Sequence, residues 1–104
     1  MEKAISKQEG GTHADEIETS MMLYISPRSV DMKKAVKDYS SNGSGPFTRD
    51  PKGQGVYSRT GVRGDPTLAT REKGKKITEA LVGATLREIE DLSRSPVPER
   101  RPKQ

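Results

Sequence analysis

Apolar residues in the first quarter of the chain recur at Ala14, Ile17, Met21, Tyr24 and Ile25. Steps of three and four follow the pitch of an α-helix and put these side chains on one face. Asp15, three residues before Glu18, has the spacing of an N-cap with a partner that reaches back, so the helix is expected to start there. Ser26-Pro27 ends it, because proline offers no amide hydrogen and clashes with a preceding helical turn. A second, shorter helix is expected across Val30 to Tyr39, with Ser29 or Asp31 as its cap. Ser40 to Gly55 is rich in Ser, Gly, Pro and Asn and reads as loop, with turn chemistry at Asp50-Pro51-Lys52-Gly53. Gly55 to Ser58 is a short strand candidate.

The clearest periodicity lies further on. Asp65 can cap and Pro66 can take the first helical position, the favoured order. Ile77, Leu81, Val82, Leu86, Ile89 and Leu92 then cover roughly half of the helical circumference at ~100° per residue. Glu79, Arg87, Glu90 and Asp91 fill the opposite side. A helix of this kind needs one partner surface. Ser93 to Gln104 carries three prolines and reads as an unstructured tail. The organisation expected is a flexible lead-in at 1–12, a folded part at 13–93 and a disordered basic tail at 94–104. Amphipathic helices joined by Gly-rich connections suit the outer layer of an α/β protein. With one weak strand candidate, the sheet is expected to come from elsewhere.

Composition sharpens this picture. The 104 residues are 29% hydrophobic, with one Phe, three Tyr and no Trp, against about 45–50% apolar (a figure that also counts Gly) in ordinary globular domains. A small domain already buries a modest share of its surface, so the apolar material is thin for an independent core. The net charge of +4 arises entirely from residues 53–104, and Arg94 to Gln104 holds +3 of it. That is a basic terminus and not a basic face with groove-reading or stacking elements, so no nucleic-acid partner is expected. There is no cysteine, which removes disulfides and thiolate metal sites. No apolar run approaches a membrane span and the first residues lack a signal-peptide core. A cytoplasmic protein with no membrane partner is expected.

The single histidine, His13, stands in Gly11-Thr12-His13-Ala14-Asp15-Glu16-Ile17-Glu18-Thr19-Ser20. One His, two Glu and one Asp at the mouth of a helix can support proton transfer or metal binding. The same residues also fit a capping box, acidic groups at the positive end of a helix dipole and a surface histidine. Spacing alone leaves these readings open.

The stretch from Thr12 to Ala35 resembles the signature of the creatininase family of amidohydrolases, in which a His-Ala/Gly-Gly-x-x-Glu-Thr-Ser run opens a helix. His13, Glu18, Thr19 and Ser20 match it, and Pro27, Val30 and Asp31 follow at family spacing. A second block, Gly61-Val62-Arg63-Gly64-Asp65-Pro66 continuing to Glu72-Lys73-Gly74, resembles the family's later Gly-x-x-Gly-Asp-Pro segment. Asp15 departs from the pattern, standing where Gly is usual.

The resemblance implies an α/β, three-layer fold, of which this chain would be a C-terminal fragment made mainly of helices and loops with few strands. It implies one or two divalent metals (zinc, manganese or iron) in the complete enzyme, activating a water that attacks a cyclic amide (lactam) or related cyclic carbonyl. Metal-bound water reaches a pKa of about 7 and the metal polarises the carbonyl. By resemblance His13 is the catalytic and substrate-binding residue, and Glu18 a metal ligand or a support to one. The family's Glu-x-His, Asp and Gly-His ligand segments do not occur here. The chain alone is therefore expected to bind no metal and to be inactive. A missing N-terminal portion or a homo-oligomer is the expected protein partner, and a small cyclic molecule the substrate. Two other readings stand beside this one: a non-catalytic interaction module, and one half of a split enzyme.

Overall fold

A computed structural model describes residues 5–99. Two α-helices, α1 (Glu16–Ile25) and α2 (Arg71–Arg94), pack on each other. Between them lie single 3-10 turns at Pro27–Ser29, Met32–Lys34 and Pro66–Leu68, and two short strands, β1 (Phe47–Thr48) and β2 (Val56–Tyr57). The strands run parallel, with Phe47 opposite Val56 and Thr48 opposite Tyr57. The described chain is thus helix-dominated, and its regular sheet is this one pair.

The first helix begins as its sequence indicates. The Asp15 carboxylate accepts the Glu18 amide at 3.0 Å. Glu18 in turn accepts the amide of Ala14 at 2.6 Å, one residue upstream of the cap itself. The helix closes where the Ser26 amide donates to the Met22 carbonyl and Pro27 opens the next turn.

Three expectations for the middle of the chain need correction. The helix across Val30 to Tyr39 does not form. Only Met32–Lys34 makes a turn, capped by Asp31, and Ala35 is already extended with ψ 130°. A helix of that length is marginal by itself, and Asp38 is drawn into a bridge with Gly64, its amide and carbonyl each bonded at 3.0 Å. Second, β1 lies inside the segment read as loop, because its hydrogen bonds depend on β2. Third, Asp65 and Pro66 open the separate turn Pro66–Leu68 and not the long helix. That helix starts at Arg71, where the Thr70 hydroxyl accepts the Lys73 amide at 3.1 Å. It runs through Arg94 and so takes in Ser93 and Arg94, where the unstructured tail is expected to begin. Residues 95–99 have no helix or strand, and Arg100 to Gln104 lie outside the described residues.

The interior is small and largely polar. Among the described residues Val56, Pro66, Ala69 and Ile77 are buried apolar residues, beside buried Asp15, Glu16, Ser20 and Asp65. A buried charge is tolerated only when its hydrogen-bonding capacity is met, and Glu16 meets this condition. Its carboxylate accepts from Ser6 Oγ at 2.7 Å, the amides of Lys7 and Gln8 at 2.6 and 3.0 Å, and Lys73 Nζ at 2.9 Å. Residues 6–8, within the segment expected as a flexible lead-in, are therefore bonded to α1, and through Glu16 to α2. At the helix crossing, Gly74 lies directly against Ser20. A Cβ at position 74 would stand 1.7 Å from the Ser20 carbonyl oxygen, so this approach requires glycine.

The stripe on α2 divides in two. Ile77 is fully buried, while Leu81, Val82, Leu86, Ile89 and Leu92 are exposed. At 1.5 Å per residue α2 is about 36 Å long and α1 about 15 Å, so the second half of α2 has nothing from α1 to cover it.

Candidate active-site cleft

His13 is positioned by its backbone. Its amide donates to the Arg63 carbonyl at 3.3 Å and its carbonyl accepts the Arg63 amide at 2.9 Å, while the Thr12 amide shares the Arg63 carbonyl at 2.9 Å. This bridge lays the second sequence block against the first. Gly64 makes it possible: its φ is +144°, and a Cβ there would lie 2.6 Å from Cβ of Asp15. Beyond His13 the backbone turns sharply, and Ala14 adopts φ +47°, left-handed and costly for any residue with a side chain. Asp15, the departure from the family pattern, has an extended φ of −95° open to any residue. The local strain therefore falls on Ala14 and not on Asp15.

The imidazole of His13 stacks at 34° on the Phe47 ring, with centroids 4.3 Å apart. Both line an open cleft of about 530 Å³ together with Arg49, Tyr57, Arg59 and Thr60. Behind it the Asp38 carboxylate accepts from Ser40 Oγ, Thr60 Oγ1, the Ser40 amide and Ser58 Oγ. The Ser40 and Thr60 hydroxyls, with the Ser40 amide, hold its pKa down at about 2. A charged Asp38 thus fixes the loop that bears Ser58 and Thr60.

Glu18 does not join His13 in this cleft. It lines a separate, largely apolar cavity of about 370 Å³ with Met22, Asp31, Met32 and Lys34, and one of its oxygens holds the Ala14 amide. Glu16, the other carboxylate near His13 in sequence, is buried and bonded at the helix crossing. Among the described residues, no three His, Cys, Asp or Glu side chains gather closely enough to hold a metal ion. The described residues therefore do not fit a divalent metal. What the cleft offers is one imidazole, two guanidinium groups, hydroxyls and an aromatic wall, a set suited to binding a polar ligand and exchanging a proton with it.

Of the residues in and behind this cleft the sequence singles out His13 and gives no sign of Arg49, Arg59, Phe47 or Asp38. No periodicity marks them, because they meet through the parallel strand pair and the Asp38–Gly64 bridge, both long-range pairings. None of the helices among the described residues is long and apolar enough to cross a membrane.

The mycofactocin precursor peptide peptidases of Mycobacterium tuberculosis strains CDC 1551 / Oshkosh and ATCC 25618 / H37Rv are each 32% identical to the chain over 85 residues. Each match covers 77% of this chain and 32% of the relative, so the chain spans about a third of the length of these curated relatives. No solved structure matches it. The creatininase family, described as creatinine amidohydrolase, matches residues 1–89. That span takes in the His13 turn, both short strands and most of α2, and the chain belongs to the creatininase family.

Proposed function

We propose that this chain forms the substrate-facing part of a metal-dependent amidohydrolase, with His13 as the group that contacts the substrate and donates a proton to the leaving nitrogen. The observation that carries this reading is the position of His13: its backbone is fixed by Arg63, and its ring forms part of the wall of an open cleft. A proton donor needs that combination of fixed placement and access. The metal ligands belong to a part of the enzyme beyond the described residues, with Glu18 as a supporting carboxylate at its edge. The bond cleaved is a cyclic amide or a related cyclic carbonyl. A linear peptide amide is the second reading, favoured by the similar proteins named as precursor peptide peptidases. The assembly that completes the site is an oligomer or a segment carrying the ligands, and the exposed stripe of Leu81, Leu86, Ile89 and Leu92 offers it an apolar docking face.

The test is made in the assembled, metal-loaded enzyme. His13→Ala should lower kcat by roughly 10²–10⁴-fold, the usual contribution of general acid–base catalysis, with metal content unchanged by elemental analysis. His13→Gln should be nearly as damaged. Recovery of most of the rate by Gln would reduce His13 to a positioning role, and loss of metal in His13→Ala would make it a ligand. Either result defeats the proposal.

A further inference from the structure

Because β1 and β2 are parallel, the chain leaves both strands at the same end of the pair. Arg49 directly follows Thr48, and Arg59 follows Tyr57 by two residues, so both arginines emerge on one side. A hairpin with the same sequence would have sent them to opposite ends. Both line the cleft that His13 lines. Among the described residues neither guanidinium forms an ion pair. Among the described residues no carboxylate lines the cleft either. Asp38, behind it, is engaged by Ser40, Ser58 and Thr60, and the Asp50 carboxylate accepts the Lys52 amide at 2.9 Å. Those donors are neutral and leave both carboxylates charged, but neither carboxylate pairs with an arginine, so among the described residues the cleft holds two permanently charged groups without an ion-pair partner, whose planar donor forks match an oxyanion.

We infer that Arg49 and Arg59 form an anion subsite for a free carboxylate on the substrate, so that the ligand is a carboxylate-bearing amide such as a short peptide C-terminus or an N-acyl amino acid. This rests on the second, linear-amide form of the amidohydrolase reading, which supplies the amide. A volume of about 530 Å³ lies within the roughly 300–1,000 Å³ of small-molecule sites and suits one or two residues of such a ligand. Phe47 and Tyr57 provide an apolar wall for its side chain. With the carboxylate anchored by the arginines, the amide of such a ligand stays within the cleft that His13 also lines, so recognition and proton transfer fall to different residues of one cleft.

The full chain, labelled for NMR, tests this by binding and without turnover. N-acetyl-glycyl-tyrosine, its C-terminal amide and inorganic phosphate are titrated separately. The free carboxylate should shift the Arg49 and Arg59 Nε–H and His13 imidazole signals saturably, and the C-terminal amide should bind at least about tenfold more weakly. Arg49→Gln and Arg59→Gln should each weaken the carboxylate form by about three- to tenfold and leave the amide form unchanged, with signals outside the cleft reporting an intact fold. Equal binding of acid and amide, or shifts confined to other surfaces, overturns the subsite. Phosphate binding the arginines as tightly as the peptide overturns its assignment to a substrate carboxylate. A carboxylate preference that persists in His13→Ala supports the subsite whatever that variant does to hydrolysis, so the two proposals fail separately.

Discussion

Gly74→Ala is the sharpest perturbation of this fold, because two effects of opposite sign meet at one methyl group. Replacing glycine by alanine inside a helix gains about 1 kcal/mol in propensity. At Gly74 the new Cβ would lie 1.7 Å from the Ser20 carbonyl oxygen and 2.4 Å from its carbon, where real Cβ contacts do not fall below 3.0 Å. The obstacle is backbone, so α1 must retreat by more than an ångström. That retreat pulls on the Thr70 amide bond to Ser20 Oγ, 3.1 Å long, and on the Glu16–Lys73 pair, 2.9 Å long. It also uncovers Ile77, which is fully buried. Overpacking costs about 1–3 kcal/mol, and a buried group left without its partner about 1–3 kcal/mol more. The net expectation is a loss of about 1–5 kcal/mol. Urea unfolding followed by circular dichroism at 222 nm measures it. Gly83→Ala is the internal control: its Cβ meets only Arg87 Nη1, at an ordinary 3.6 Å, so it should gain about 0.5–1 kcal/mol. A Gly74→Ala midpoint equal to or above that of the parent chain would refute the close helix crossing.

Three further outcomes are expected. Burial pushes the Glu16 pKa up, but the bonds from Lys73, Ser6, Lys7 and Gln8 outweigh it and hold the group below its ordinary 4.5. A carboxylate depressed on folding stabilises fully above the unfolded value and loses that contribution as pH falls through the folded one. Urea midpoints should therefore drop below about pH 4.5 in the parent and drop less in Glu16→Gln, which at pH 7 is itself weaker by about 1.5–3 kcal/mol; identical acid profiles would contradict this. Ile77→Ala should cost about 2–5 kcal/mol, whereas Leu86→Ala on the exposed half of α2 should cost under about 1 kcal/mol in the isolated chain, and reversed costs in the same urea assay would place the core elsewhere. Ala14→Gly should raise the midpoint by about 1 kcal/mol by removing left-handed strain, and a loss of stability there would show that Ala14 does not sit at φ +47°.

Features that depend on near neighbours in the chain were legible in the sequence. The cap at Asp15, the stop at Pro27 and the long amphipathic run of α2 depend on groups three or four residues apart, so local residue types are sufficient to specify them. The two motif blocks that place the chain in its family are equally local, and they singled out His13. Long-range pairings decided the rest. Val30 to Tyr39 has helical spacing, but a bridge from Asp38 to Gly64 draws it into extended backbone. Glu16 reads as a helix-dipole carboxylate, and the crossing of α1 over α2 makes it the buried partner of Lys73. Arg49 and Arg59 carry no pattern at all, and only the parallel register of β1 and β2 brings them to the cleft beside His13. Glu18 shares a motif with His13 and yet faces another cavity, because residues five apart on a turn and helix need not point the same way. The sequence by itself determined the two helices, the family and the one candidate acid. Tertiary structure determined which charges are structural and which face the cleft, since exposure and ion pairing depend on segments distant in the chain.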